Sequence, residues 1–329
     1  MLRRTLLLGI LPVVLAVNAP LRTPAAQKTA MPSSAPLSAL WEQPTDLPGR
    51  DLFNGPWGPA RAPDPDAVYT YVRSKEGGTN PGVVVRDPLG RVWHVKQSPR
   101  TNQGSEGPVE VTLSRVLSAV GYHQPPVYFL QSFLLRDSSG TRREPGGRFR
   151  LDEPTMKSLG EWSWKQNPFV GMRPYKGLLV TLLTFNSADL KDSNNTVYEV
   201  QGPAGRGELR YVVRDLGLAL GASGHFTPKR NNPDLFERET FIKGVNDGFV
   251  TFSFHGWREG LLRGTITPAD AGWASSLLSK LSDRQWNDAF RAGGYTPAVA
   301  GRFIRKLHAN IARAQQIADG ESRPAPGRR

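Results

Sequence analysis

The sequence predicts an α+β protein in which a sheet-rich lobe precedes a helix-rich one. Three observations carry that prediction. Short segments rich in valine and aromatic residues crowd residues 68–151, and amphipathic helical patterns fill the chain from residue 269 onward. Hydrophobic residues make up 38% of the 329, enough for a core serving two lobes. No internal repeat is visible.

The elements follow in order. Residues 68–72 carry Val and Tyr, 82–86 carry three valines, and 91–97 alternate through Val92, Trp93, His94 and Val95. Asp87-Pro88-Leu89-Gly90 supplies hairpin-turn residues between the last two. A helix is predicted over 108–120, where Val109, Leu113, Val116, Leu117 and Val120 share one face, Pro108 suits a first turn and Gly121 suits an end. Residues 127–136 and 148–151 read as strands around a Gly-rich, charged loop. An apolar helical or buried segment, 176–184, leads into the polar run 186–195. Strands at 196–200 and 208–213 flank Gly202 to Gly207, and helices are predicted over 269–281, 283–291 and 297–317. The aromatic run 249–257 is expected to pack in the core, with a substrate platform as the alternative.

The ends differ in composition from the middle. Arg3 and Arg4 precede the apolar run 6–17, and small residues follow at Ala16, Ala19, Ala25 and Ala26. That pattern predicts a signal peptide over 1–26 and hence export to a periplasmic or extracellular space, with an uncleaved N-terminal anchor as the alternative. The run is shorter than the roughly 20 residues of a spanning helix. Residues 27–65, rich in Pro, Ala, Ser and Gly, read as a linker, and 317–329 as a disordered basic tail. The intervening lobes are drawn at 66–151 and 152–316.

The chain has no cysteine, which excludes disulfides, thiolate catalysis and Cys-based zinc sites. Its formal net charge is +13, falling to +10 if Arg3, Arg4 and Arg22 leave with the signal. Such a balance favours anionic partners: phosphates, lipid surfaces or envelope polymers. Export disfavours nucleic acid among them.

One constellation carries chemistry. Asp189-Leu190-Lys191-Asp192-Ser193-Asn194 sets a carboxylate, a lysine and an amide in one short loop. Phosphoryl transfer asks for such groups: a cation near phosphates, oxygen ligands for magnesium and a carboxylate to orient an acceptor hydroxyl. Two strands later comes Asp215-Leu216-Gly217, which is otherwise ordinary turn chemistry at a strand end. Upstream, Lys96 ends an apolar alternating strand. The helix after it carries Glu110, which can pair with Lys96 or simply favour the positive end of the helix dipole; Glu106 competes for the same lysine.

Taken in order, these residues resemble the protein-kinase family, in its divergent bacterial or secreted members. Asp-x-Lys-x-x-Asn resembles the catalytic loop, Asp215-Leu216-Gly217 the magnesium motif with Leu for Phe, and the strand ending at Lys96 the one bearing the phosphate-binding lysine. The resemblance covers residues 68–217 and implies a two-lobed kinase-like fold with ATP and Mg2+ as cofactors. It implies that Asp189 positions the acceptor, Lys191 faces the transferring phosphate, and Asn194 and Asp215 hold metal. Lys96, oriented by Glu110, would meet the donor phosphates, and Gly77, Gly78 and Gly82 would cover them. The glycine spacing departs from Gly-x-Gly-x-x-Gly, His-Arg-Asp is replaced by Ser187-Ala188-Asp189, and no Ala-Pro-Glu follows Asp215. The acceptor is therefore open: an anionic envelope component or a protein. Two other readings stand beside the enzyme: an inert kinase-like module that binds nucleotide or envelope, and a basic envelope protein without nucleotide.

Other residues are discounted. His94, His123, His225, His255 and His308 form no metal-type pair. Gly221-Ala222-Ser223-Gly224-His225 lacks the spacing of a nucleophile elbow. Asn194-Asn195-Thr196 matches a glycosylation acceptor by coincidence with the metal loop.

Overall fold

Valine- and aromatic-rich strands close into a five-stranded barrel: β1 (Val68–Ser74), β2 (Gly82–Arg86), β3 (Val92–Gln97), β4 (Val127–Asp137) and β5 (Gly140–Leu151), in the order β1-β2-β3-β5-β4. The computed structural model describes residues 33–76, 80–98, 105–202, 207–224 and 229–322. Neighbouring strands pair antiparallel, except that β4 closes on β1 in parallel, with Val68 opposite Leu134. Alternation along β3 sends Trp93 and Val95 into the barrel, where they meet Tyr69, Val85, Phe133 and Phe149. Phe133 and Phe149 pack edge to face with centroids 5.2 Å apart. His94 and Lys96 consequently face the other way, and Lys96 reaches helix α1 (Glu106–Ala119), which lies between β3 and β4 in the chain.

Beyond the barrel, β6 (Met156–Gly160), β7 (Asn195–Gln201) and β8 (Gly207–Val213) form a three-stranded sheet, and β9 (Ile242–Asn246) and β10 (Phe249–Phe252) a hairpin. Helices α2 (Arg173–Thr184), α3 (Pro233–Arg238), α4 (Pro268–Leu278), α5 (Asp283–Ala292) and α6 (Pro297–Ser322) supply most of a second core around Trp286, Phe290 and Phe303. Local signals start two of them: Thr267 with Asp270, and Ser282 with Gln285, form reciprocal capping boxes. Among the described residues no helix is long and apolar enough to cross a membrane.

Three expectations are corrected. Within the predicted linker 27–65, residues 33–65 pack onto the body: Leu40 and Leu52 are buried, and Trp41 Nε1 donates to Val120 O at 2.8 Å. Gln285 Nε2 donates to Leu47 O at 2.8 Å and to Arg50 O at 3.0 Å, clamping the same segment. Composition missed this because a few large apolar residues, each seated in a pocket made by distant helices, suffice to order an aperiodic stretch. The Gly-rich loop before residue 148 belongs to β5, which starts at Gly140 because ten cross-strand pairs with β4 override its polar composition. The helix expected to stop at 317 continues to Ser322. The predicted signal peptide and residues 323–329 lie outside the described residues.

The β2–β3 turn works as predicted, and its energetics can be tested. The Asp87 carboxylate accepts from Leu89 N (3.0 Å), Arg91 N (2.8 Å), Arg91 Nε (2.6 Å) and Trp93 Nε1 (3.0 Å). Burial would raise its pKa, but the hydrogen bonds from Trp93 and Arg91 outweigh it and hold the carboxyl below the ordinary 3.8. Asp87→Ala should cost about 3 kcal/mol in chemical denaturation, since it also strands the buried Trp93 N–H. A depressed carboxyl stabilises the fold above its unfolded pKa, so the contribution is complete above about pH 4 and fades as pH falls further. A cost that stays constant from pH 7 down to pH 2 would contradict this account.

Candidate active site

Lys96 stands at the centre of a charge cluster assembled from four separate segments. Its Nζ lies 2.7 Å from Glu106 Oε2, 2.8 Å from Asp215 Oδ1 and 3.5 Å from Glu110 Oε2. Only 7% of the lysine side chain is exposed, and Glu106 and Glu110 are equally buried. Both glutamates lie on α1 one turn apart, hence on the face turned to β3. Glu110 is shared: Arg148 Nε approaches its Oε1 to 2.8 Å. Arg148 is the cross-strand partner of Lys96 on β5, so the sheet register delivers both cations to one place. Glu106 also accepts from Asn80 Nδ2 at 2.5 Å and contacts Arg230 Nη1.

Asp215 follows β8 and is about half exposed, its side chain retaining 48% of its surface. Partial burial would raise its pKa; the charge and hydrogen bond of Lys96, helped by Arg148 and the Gly217 N–H, outweigh that and keep the carboxyl below its ordinary value. Gly217 is required for this approach, because a Cβ there would come within 2.6 Å of Glu106 Cβ.

The loop of Asp189 lies alongside. Ala188 N donates to Leu218 O at 2.9 Å and Arg214 N to Asn194 O at 2.8 Å, so the two stretches run antiparallel and the loop bulges beside Asp215. Asn194 Nδ2 donates to Asp189 O at 2.8 Å, which leaves Oδ1 as the amide atom able to meet a cation. Asp189 Oδ1 sits 3.0 Å from Lys191 Nζ, and that ammonium lies 4.8 Å from the ring centroid of the exposed Trp257. Asp192 holds the loop from below, accepting from Trp164 N at 3.1 Å and Arg258 Nη2 at 2.8 Å.

No family model matches the chain, and no curated protein matches it. Among solved structures, one that the chain is similar to is that of a bacterial kinase. That crystal structure, of the Helicobacter pylori proinflammatory kinase CtkA, aligns at 11% identity with a TM-score of 0.42, covering 79% of this chain and 100% of its own.

Of the residues singled out from sequence, Lys96, Glu110 and Asp215 meet directly, and Asp189, Lys191 and Asn194 share the adjoining loop. The glycines do less. Gly82 opens β2 opposite Lys96, and a side chain there would collide with the Val95 carbonyl, so strand packing alone explains it. Gly77 and Gly78 lie outside the described residues. The nearer carboxylate to Lys96 is Glu106, the competitor, rather than Glu110. Arg148, Asn80 and Asp192 were not foreseen. Arg148 had no local signal, since only the β3–β5 register places it opposite Lys96.

Proposed function

We propose that the chain is a divergent kinase-like phosphotransferase using ATP and magnesium, exported from the cell, whose acceptor is an anionic envelope component or a protein. One observation carries the reading: a single buried ammonium, Lys96, bridges a helix carboxylate and Asp215, 119 positions away, beside the Asp189 loop. Pairs so distant in sequence meet at the cost of loop-closure entropy, and phosphate binding beside an acceptor-positioning carboxylate gives that meeting a use.

Lys96 would bind donor phosphates, Asp189 would orient the acceptor hydroxyl and take up its proton, and Lys191 would meet charge on the transferring group. Asn194 and Asp215 would hold magnesium, which supplies neutralisation of the donor phosphates when bound. Among the described residues no three His, Asp or Glu side chains gather into a metal cage. A pair of protein oxygen ligands still fits, because magnesium beside phosphates takes its other ligands from phosphate and water. The half-exposed, ionised Asp215 and the Asn194 Oδ1, whose amide nitrogen is already committed to the Asp189 carbonyl, suit that role.

The test is thermal unfolding with ligand. ATP plus magnesium should stabilise the native protein by about 2.7 kcal/mol at a hundredfold excess over the dissociation constant, more than ATP alone. Asp215→Asn should remove the magnesium-dependent part. Absence of any shift at millimolar ATP and magnesium would overturn the reading. One observation favours a second reading, an inert kinase-like binding module: Asp189 and Asp215 are each already paired with an internal lysine.

A further inference from the structure

The face of the sheet that carries Lys96 is more cationic than phosphate positioning by one lysine requires. A cavity of about 220 Å³ opens there, lined by Arg73, Lys75, Lys96, Arg148 and Arg150 with Glu76 as its acid. That volume falls below the roughly 300–1,000 Å³ usual for drug-sized ligands. Its cations fall into two groups. Lys96 and Arg148 are matched by Glu106, Glu110 and Asp215, and Arg73 meets Glu76 at 3.4 Å.

Arg150 is different. It projects from β5 opposite His94, and among the described residues no carboxylate pairs with it. Burial, with Arg148 and Arg214 nearby, pushes its pKa down to about 10. Arg214, just after β8, places its guanidinium Nη1 3.4 Å from the Tyr198 hydroxyl, and among the described residues no carboxylate pairs with it. Lys75 donates to Asn80 O at 3.0 Å, and its pKa is lowered by burial and by the charges of Lys96 and Arg148. His94 is likewise held down, by burial and by Arg150. A half-buried guanidinium beside other cations, with no acid in salt-bridge contact among the described residues, is better satisfied when an anion joins it. An apolar, uncharged ring would leave that crowding in place; a row of phosphate oxygens would offset it.

We infer that this cavity binds a chain of linked phosphates, read by charge through Arg150 in its wall and Arg214 outside its lining, with no requirement for a nucleobase. The inference rests on the phosphotransferase reading and names the part of the donor that the site recognises: tripolyphosphate and the triphosphate of a nucleotide become equivalent ligands.

Calorimetric titration of the full chain, with magnesium present, tests it using inorganic tripolyphosphate, ATP and adenosine. Tripolyphosphate and ATP should bind with dissociation constants within about tenfold of each other, and adenosine should give no heat. Arg150→Gln should weaken both by about tenfold or more, and Arg214→Gln should weaken both independently. Arg284→Gln removes the same charge from an exposed position on α5 and should change neither. The unliganded Arg150→Gln protein should melt no lower than wild type, since the substitution removes a cation crowded by other cations; a lower melting point would contradict that crowding. ATP binding without tripolyphosphate binding, or competition by adenosine, would overturn the inference and leave the nucleotide reading standing. Binding of neither phosphate compound would overturn both. Equal weakening by Arg284→Gln would reduce the effect to a diffuse basic surface and end the inference.

Discussion

Asp189→Asn is expected to lower phosphate transfer by about 10²–10⁴-fold, the range of positioned general acid–base groups, while leaving binding of ATP and magnesium nearly unchanged. The loop around it should survive. Its fold depends on the Asp189 carbonyl, which accepts from Asn194, and on Asp192, which is anchored by Trp164 and Arg258. The substitution alters neither. What it removes is the carboxylate proposed to take up the acceptor proton, which also holds Lys191 at 3.0 Å. Radiolabelled phosphate transfer, measured beside calorimetric titration, separates the effects. If wild type transfers nothing yet binds ATP, the inert module is the better description. If Asp189→Asn transfers as fast as wild type, the role assigned to Asp189 is wrong.

Lys96→Met is expected to be the most destabilising of these substitutions and also to weaken phosphate binding. One ammonium serves three carboxylates, two of them buried. Removing one member of a buried ion pair costs about 3–5 kcal/mol, because the remaining charge is left without compensation. Arg148 still faces Glu110 and Arg230 still faces Glu106, so the lower part of that range is the expectation. The loss also has a pH signature. Asp215 is held below its ordinary pKa chiefly by Lys96 working against burial. That contribution is complete above about pH 4 in wild type and is lost as pH falls through the depressed value, so the gap to Lys96→Met should narrow in acid. Urea denaturation at pH 7 and pH 3 measures both. A gap that is small at neutral pH, or unchanged in acid, would show that Lys96 is not the cluster's keystone.

Much of this site was legible because its parts are local. A lysine at the end of an alternating strand, a loop with Asp, Lys and Asn at fixed offsets, and an Asp-Leu-Gly after a strand are each a few residues long. Their order along the chain sufficed to expect a meeting. The choice of partner was not legible. Glu106 and Glu110 lie one turn apart on the same helical face, and periodicity cannot rank them. The ranking came from Arg148, which the β3–β5 register sets against Glu110, leaving Glu106 the shorter contact with Lys96. The cationic cavity escaped for the same reason: Arg73, His94, Arg148 and Arg150 come from three strands, and only their pairing makes them neighbours.

The sequence by itself determined the α+β class, the main strands and helices, and the residues that are candidates for phosphate chemistry, because these depend on periods of two and 3.6 residues and on short motifs. Tertiary structure alone decided that residues 33–65 belong to the body, that Glu106 pairs with Lys96, and that among the described residues no carboxylate forms a salt bridge with Arg150. Each of those outcomes depends on contacts between segments far apart in the chain. Such contacts are set by sheet register and helix packing, which no local pattern encodes.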